Sequence, residues 1–148
     1  MNVLKAQQEL LTGIFHGKRC FCLNYDEENV IISVEGYNGY LVPRAHLHVE
    51  INKSEMPTHF PKLDVIDENN VLLMTSEHFV GDGKVLIKFD HLDGGEVWIN
   101  SKLLSNFKKP TLYQAPGDYT NTILVTEDEQ FVGFVMPHVK PYKKGAKG

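Results

Sequence analysis

The sequence predicts an α+β domain in which antiparallel strands predominate. Its 148 residues suit one domain with a core of its own. Most apolar runs alternate or are rich in β-branched residues, and short turn segments such as DEEN, EGYNG and EDEQ separate them. Short turns of this kind join antiparallel neighbours, whereas parallel strands need long crossovers. Only two segments carry helical spacing, so helices are the minority element.

Residues 2–16 are predicted to form the first helix, and Gly17 is placed to end it. One side of this helix carries residues at the spacing of a buried face, with Gln7 as a single polar interruption. These residues are Val3, Gln7, Leu10, Leu11, Ile14 and Phe15. The second helix is short and covers the segment SKLLSNFK, with Asn100 as its N-cap.

The predicted order is a helix, three strands, a linker, four strands, the short helix and three final strands. The linker is Ile51 to Asp64, because it contains two prolines and little periodicity. We therefore expect one domain over residues 1–140, with similar helix-plus-strands halves at about 1–52 and 63–140. Residues 141–148 are rich in Lys and Gly and are predicted to be a flexible basic tail.

Composition and charge narrow the class of protein. No apolar run approaches the ~20 residues that span a bilayer, and the N-terminus lacks the layout of a secretory signal. Cys20 and Cys22 lie two apart in a strand, which is poor geometry for a mutual disulfide, so a cytoplasmic protein with free thiols is expected. The net charge is −4, and Arg19 and Arg44 are the only arginines. A surface coated in positive charge is therefore not expected, although a local basic patch is compatible with the sequence.

Catalytic motifs are not found in the sequence. It contains no phosphate-binding loop, dinucleotide fingerprint, nucleophile elbow or His-Glu-x-x-His pair. The strongest metal candidate is the run HLHVE, where His46, His48 and Glu50 alternate along a predicted strand and would face the same way. The polar, solvent-facing side of a strand explains the same pattern. A non-enzymatic protein without a cofactor is expected, and a metal-dependent enzyme that uses these three residues is an alternative.

Two segments of the second half resemble the bacterial DNA sliding clamp family, the beta subunit of DNA polymerase III. GEVWINSKLLSNF is similar to the family's strand that ends in a Phe-Asn-like pair before a helix with a Leu-Leu step. QFVGFVMPHVK is similar to the last strand of a clamp domain, which reads close to Leu-Val-Met-Pro-Val-Arg. The matching positions are Ile99, Asn100, Leu103, Leu104, Val135, Met136, Pro137, Val139 and Lys140. In the first half, Glu35 and Gly36 stand at the family's acidic-Gly turn.

The resemblance implies a DNA-clamp-like fold that acts by binding duplex DNA and not by catalysis. A clamp subunit carries three such domains, and this chain has room for one, so a ring would require self-assembly into a homo-oligomer. The helices that face DNA in the family would here present Lys5, Lys18, Arg19, Lys102, Lys108 and Lys109. An alternative is a protein-interaction domain that does not touch DNA, in which an edge strand at Leu41–Val49 accepts a strand from a protein partner.

Overall fold

The computed structural model describes residues 1–138 and confirms the α+β class. Two helices accompany ten strands that form one mixed, mainly antiparallel sheet. The predicted tail, 141–148, and the clamp-like positions Val139 and Lys140 lie outside the described residues. No helix among residues 1–138 has both the length and the apolar character needed to cross a bilayer.

The elements follow the predicted order except at two places: one short strand lies inside the predicted linker, and three strands instead of four precede the second helix. The helices are α1 (Val3–Phe15) and α2 (Ser101–Leu104). The strands of the first half are β1 (Cys20–Asn24), β2 (Asn29–Val34), β3 (Asn38–Pro43) and β4 (Lys53–Glu55). Those of the second half are β5 (Val71–Gly81), β6 (Lys84–His91), β7 (Glu96–Asn100), β8 (Thr111–Tyr113), β9 (Ile123–Glu127) and β10 (Gln130–Val135).

Helix α1 has the predicted limits, and its buried face is rotated from the predicted one: Gln7 and Leu10 are buried as predicted, with Ala6 and Gly13 beside them. The Asn2 side chain accepts the Lys5 N–H at 3.0 Å, and Gly17 ends the helix with a φ of 73°. The buried positions centre on Ala6, Leu10 and Gly13, whereas Leu11, Ile14 and Phe15 are exposed. Small residues form much of the contact with the sheet because the helix lies close to it. A Cβ atom at Gly13 would stand 2.9 Å from a methyl group of Val34.

The sheet runs in the order β4-β1-β2-β3-β10-β9-β8-β5-β6-β7. The pair β3–β10 stands at the middle of two triplets, β1-β2-β3 and β10-β9-β8. A helix precedes each triplet in the chain, α1 before β1 and α2 before β8. The order of strands is therefore symmetric about the β3–β10 pair over these six strands.

Both faces of the central strands are covered. The larger apolar core holds Leu10 of α1 together with inward residues of both halves, such as Ile32, Ile99 and Val125. On the other face, Ile31, Leu124 and Phe134 form a smaller cluster. Side chains of the crossover between the halves pack against this cluster, namely Met56, Phe60, Val65 and Ile66. The apolar side chains between β4 and β5 therefore cover one face of the sheet.

Three local predictions were wrong. A strand predicted at residues 65–66, before the turn DENN, does not form: residues 63–70 make two 3-10 turns, Leu63–Val65 and Glu68–Asn70, and three strands follow where four were expected. The strand of the HLHVE run does not form, because the chain leaves the sheet after Pro43 and makes the 3-10 turn Arg44–His46. Leu41–Val49 is not one strand: Leu41–Pro43 end β3, where they pair with β2, and the chain then makes the 3-10 turn and continues without strand pairing to Val49.

A candidate nucleic-acid interface between two helices

A groove lies between α1 and α2 on one face of the sheet. Its volume is about 630 Å³. One wall is formed by α1 with Lys5, Glu9 and Thr12, and the other by the α2 region with Lys102 and Ser105. Asn100 fixes the start of α2, since its side chain accepts the Lys102 N–H at 3.0 Å. The groove is therefore built from helices that are almost a hundred residues apart in the chain.

Four of the six predicted DNA-contacting residues lie together here. Lys5, Lys18 and Lys102 line the groove. Lys108 lines a neighbouring cleft at the start of α1, of about 670 Å³, and Lys5 and Ser105 line both openings. We call these four lysines and the groove and cleft between them the helix-side basic surface. Each lysine is a flexible cation of the kind that binds phosphate as a point charge.

The other two predicted residues line neither the groove nor the cleft. The guanidinium of Arg19 stands over the Phe21 ring, 5.5 Å from its centre, and does not line the groove. Lys109 follows α2 in a left-handed backbone conformation, with φ of 45°, and lines neither opening. A basic residue next to a helix in the sequence therefore does not always share its exposed face.

Two carboxylates reduce the positive charge of the surface. Glu35 lies in the β2–β3 turn, as predicted, with Gly36 beside it at φ of 87°. Its carboxylate is 3.5 Å from the Lys18 ammonium, and both side chains are about half exposed. Glu9 lines the groove opposite α2. Four lysines against two glutamates leave a modest positive balance, so binding of a polyanion would depend strongly on salt.

The floor of the groove carries a polar network that the sequence did not indicate. The Tyr40 hydroxyl accepts hydrogen bonds from the side-chain amides of Asn38 at 3.2 Å and Asn106 at 3.0 Å. Asn38 also donates to the Leu103 carbonyl at 3.0 Å, which ties strand β3 to α2. Burial, together with the negative charge of Glu9, raises the pKa of Tyr40 to about 12 against the effect of the two amides. Tyr40 is therefore neutral and structural at ordinary pH.

The loop that carries Lys108 is fixed by strand β9. The Glu127 carboxylate accepts the Lys108 backbone N–H at 2.6 Å and also pairs with the terminal ammonium of Met1. Met1 and Lys108, which both line the neighbouring cleft, are thereby bonded to the same side chain. Lys108 keeps its ammonium available, because only its backbone is used in this contact.

The metal candidate of the sequence is not assembled. His46, His48 and Glu50 are exposed, and they lie in a 3-10 turn and the irregular segment that follows it. In the described part of the chain, no group of three or more His, Cys, Asp or Glu side chains is placed to hold a metal ion. The backbone around these histidines serves instead to anchor α1, through the side chain of Gln7.

Comparison with known proteins gives no relative for this chain. No family model, no curated protein and no solved structure matches it.

Proposed function

We propose that the protein is a non-catalytic, clamp-like domain that holds the backbone of duplex DNA on its helix-side basic surface and acts as a self-assembled oligomer. The observation that carries the proposal is the meeting of Lys5, Lys18, Lys102 and Lys108 beside two helices on one face of the sheet. Lysines from distant parts of the chain on one continuous surface are the electrostatic footprint of a phosphate-binding protein.

The strand order supports a clamp-like arrangement. The symmetry about the β3–β10 pair agrees with the two predicted halves, each with a helix before three strands. A groove between the two helices is where a domain of this kind would present phosphate-binding side chains. The chain as a whole is acidic, so any attraction to DNA must come from this local concentration of lysines.

The proposal makes binding independent of base sequence. Lysine contacts to phosphate fix position and orientation on the duplex and carry no sequence information. Each neutralised phosphate contributes about −0.9 to the slope of log K against log salt concentration, so four lysines on one chain give a slope of about −3.6. Arg19 and Lys109 are expected to contribute less, because they line neither the groove nor the cleft.

The test is a salt titration of binding to duplex DNA, measured by fluorescence anisotropy with two unrelated sequences. Lys102→Gln removes a charge from the groove wall and is expected to reduce the slope by about 0.9 and weaken binding equally for both duplexes. The matched control is Lys62→Gln, an exposed lysine of the crossover on the opposite side of the sheet. Equal slopes for wild type, Lys102→Gln and Lys62→Gln would contradict the proposal, as would the absence of binding at low salt.

A second candidate is a protein-interaction domain that does not bind DNA. The observation that favours it is a row of exposed apolar side chains on α1, where Leu4, Leu11 and Phe15 are each more than half exposed and share one flank of the helix. Unchanged DNA binding in the lysine variants, together with loss of a copurifying partner in Leu11→Lys, would favour this function over the first.

A further inference from the structure

Strand β5 offers an unpaired side along most of its length. It pairs with β6 on one side through residues 72–81, with an interruption between Met74 and His78. On its other side it pairs with β8 only at Val71 and Leu72. Among residues 1–138, no strand pairs with the β8 side of residues 73–81. We call this stretch the free edge of β5.

Backbone groups point out from the free edge at its far end. The β5–β6 turn has the two-residue loop Asp82–Gly83, with φ values of 53° and 73°. In such a hairpin the flanking pair, here Gly81 and Lys84, exchanges both of its hydrogen bonds, and the next pair exchanges none. Val80 therefore directs its N–H and C=O away from β6.

At the other end of the free edge, next to β8, the backbone groups of Met74 also point to the open side. The Gln114 N–H donates to the Asn70 carbonyl at 3.0 Å, so Asn70 faces β8. The backbone N–H and C=O groups of successive residues point to opposite sides of a strand, so those of every second residue point to the same side. The groups of Leu72 therefore also point towards β8, and those of Met74 point to the same side, which is open there.

The side chains along this edge are apolar and exposed. Leu73 is 52% exposed, Met74 63%, Phe79 39% and Val80 75%. Natural edge strands are usually protected by charge, proline or short length, and a long edge with exposed apolar residues is a template for another strand.

At the interruption between the two apolar pairs, the Thr75 side chain forms hydrogen bonds with the neighbouring backbone. The Thr75 hydroxyl donates to the Lys88 carbonyl at 2.9 Å and accepts the Glu77 N–H at 3.1 Å. The charge of Glu77 is paired with the Lys88 ammonium at 2.6 Å. The Ser76 carbonyl accepts from the His78 ring at 2.8 Å, so part of the polar centre is already satisfied, and the apolar pairs on either side offer exposed pairing positions.

We propose that the free edge of β5 pairs antiparallel with the same edge of a second copy of this chain, about a two-fold axis at Glu77. In this register Met74 lies opposite Val80 of the second copy, and Val80 lies opposite Met74. Both residues direct their backbone groups outward, so each pair exchanges two hydrogen bonds. The apolar pairs that flank the polar centre are self-complementary, and a two-fold contact requires such a surface. The two Glu77 carboxylates meet at the axis, where each is paired with the Lys88 ammonium of its own chain.

This interface deepens the proposed function, since it supplies the contact for self-assembly. Its test uses the protein without DNA, so its failure can be distinguished from a failure of DNA binding. The mass of the protein is followed by sedimentation velocity from micromolar to submillimolar concentration, and a reversible monomer–dimer equilibrium is expected. A monomer throughout this range, or a trimer or larger ring, overturns the proposal.

A proline pair tests the edge itself. Val80→Pro removes the outward N–H without touching the β5–β6 hydrogen bonds, and proline is tolerated at such edge positions. Because both copies lose a hydrogen bond, the dimer is expected to weaken roughly tenfold or more. Val85→Pro makes the same change on the other side of the hairpin, where β6 has not yet met β7, and is expected to leave the dimer intact. Equal effects of the two variants overturn the proposal, and circular dichroism checks that both fold.

A cysteine pair tests the register independently of the proline variants. Glu77→Cys places a thiol on the two-fold axis opposite its own copy, so mild oxidation is expected to give a covalent dimer. Lys84→Cys, also exposed but beyond the paired positions, is expected to give no covalent dimer in the same oxidation. Equal crosslinking of the two variants contradicts the register with Glu77 at its centre.

Discussion

The side chain of Gln7 is expected to be one of the main polar contributors to stability. It is 4% exposed, although it lies on a helix that the sequence marks as amphipathic. Its amide nitrogen donates to the His46 carbonyl at 2.7 Å, and its amide oxygen accepts the His48 N–H at 2.7 Å. One side chain therefore bonds two backbone groups of the segment that follows Pro43, where the chain has left the sheet and no strand neighbour bonds them.

Gln7→Met keeps the length of the side chain and removes both hydrogen bonds. Each bond contributes about 1 kcal/mol net, and more where the backbone partner stays dry, so the free energy of unfolding is expected to fall by about 2–3 kcal/mol. For a chain of this size the melting temperature then falls by roughly 5–10 °C. Urea denaturation at 25 °C and calorimetry measure these two quantities.

The matched control is Gln8→Met, because Gln8 is the exposed neighbour on the same helix. Its free energy of unfolding is expected to stay within about 0.5 kcal/mol of wild type. If Gln7→Met and Gln8→Met differ by less than that amount, the two hydrogen bonds do not stabilise the fold and the reasoning is refuted.

Three further changes test the sheet, the groove floor and the second helix. Gly133→Ala would bring a Cβ atom within 2.2 Å of the Gly39 carbonyl oxygen, so the free energy of unfolding, measured in urea, is expected to fall by about 1–3 kcal/mol or more. The pKa of Tyr40 is raised to about 12 from an unfolded value of about 10. The folded state therefore holds its proton longer, and up to about 3 kcal/mol of stability is lost as the pH rises from about 10 to about 12. Tyr40→Phe should flatten that part of the profile. Asn100→Ala removes the cap of α2 and is expected to cost about 1 kcal/mol, whereas Asn100→Asp keeps the acceptor and should cost less, as thermal denaturation would show.

The sequence predicted the helices well where their ends carry capping residues. Asn100 and Gly17 act as expected, because caps are local interactions between neighbours in the chain. The buried face of α1 was predicted only in part: Gln7 and Leu10 are buried, whereas Leu11, Ile14 and Phe15, which were chosen for their hydrophobicity, are exposed. The helix lies so close to the sheet that Ala6 and Gly13 fit where larger residues would not. Such close approach is a property of the tertiary packing and is invisible in a helical pattern.

The candidate site was predicted in part for the same reason. Lysines on or next to helices can be named from the sequence, and four of them share a surface. The network of Asn38, Tyr40 and Asn106 could not be named, because Asn106 meets Tyr40 across 66 positions of the chain and no local pattern marks the pair. The free edge of β5 was missed since pairing partners decide which strand lies at an edge. Leu41–Val49 was chosen for its proline, yet the chain leaves the sheet after Pro43 and most of this stretch is not a strand.

The basic surface and the free edge lie on different elements, and this separation links the two proposals in one measurement. The lysines lie on or beside α1 and α2, whereas the edge belongs to β5. A two-fold dimer that engages one duplex with both surfaces carries eight lysines, and its salt slope should approach about −7, against about −3.6 for a single chain. Val80→Pro should then halve the slope without touching a lysine, whereas Lys102→Gln should lower it by about 0.9 per chain without changing the mass. If the slope of Val80→Pro equals that of wild type, each chain holds DNA by itself, and the dimer has no part in that binding.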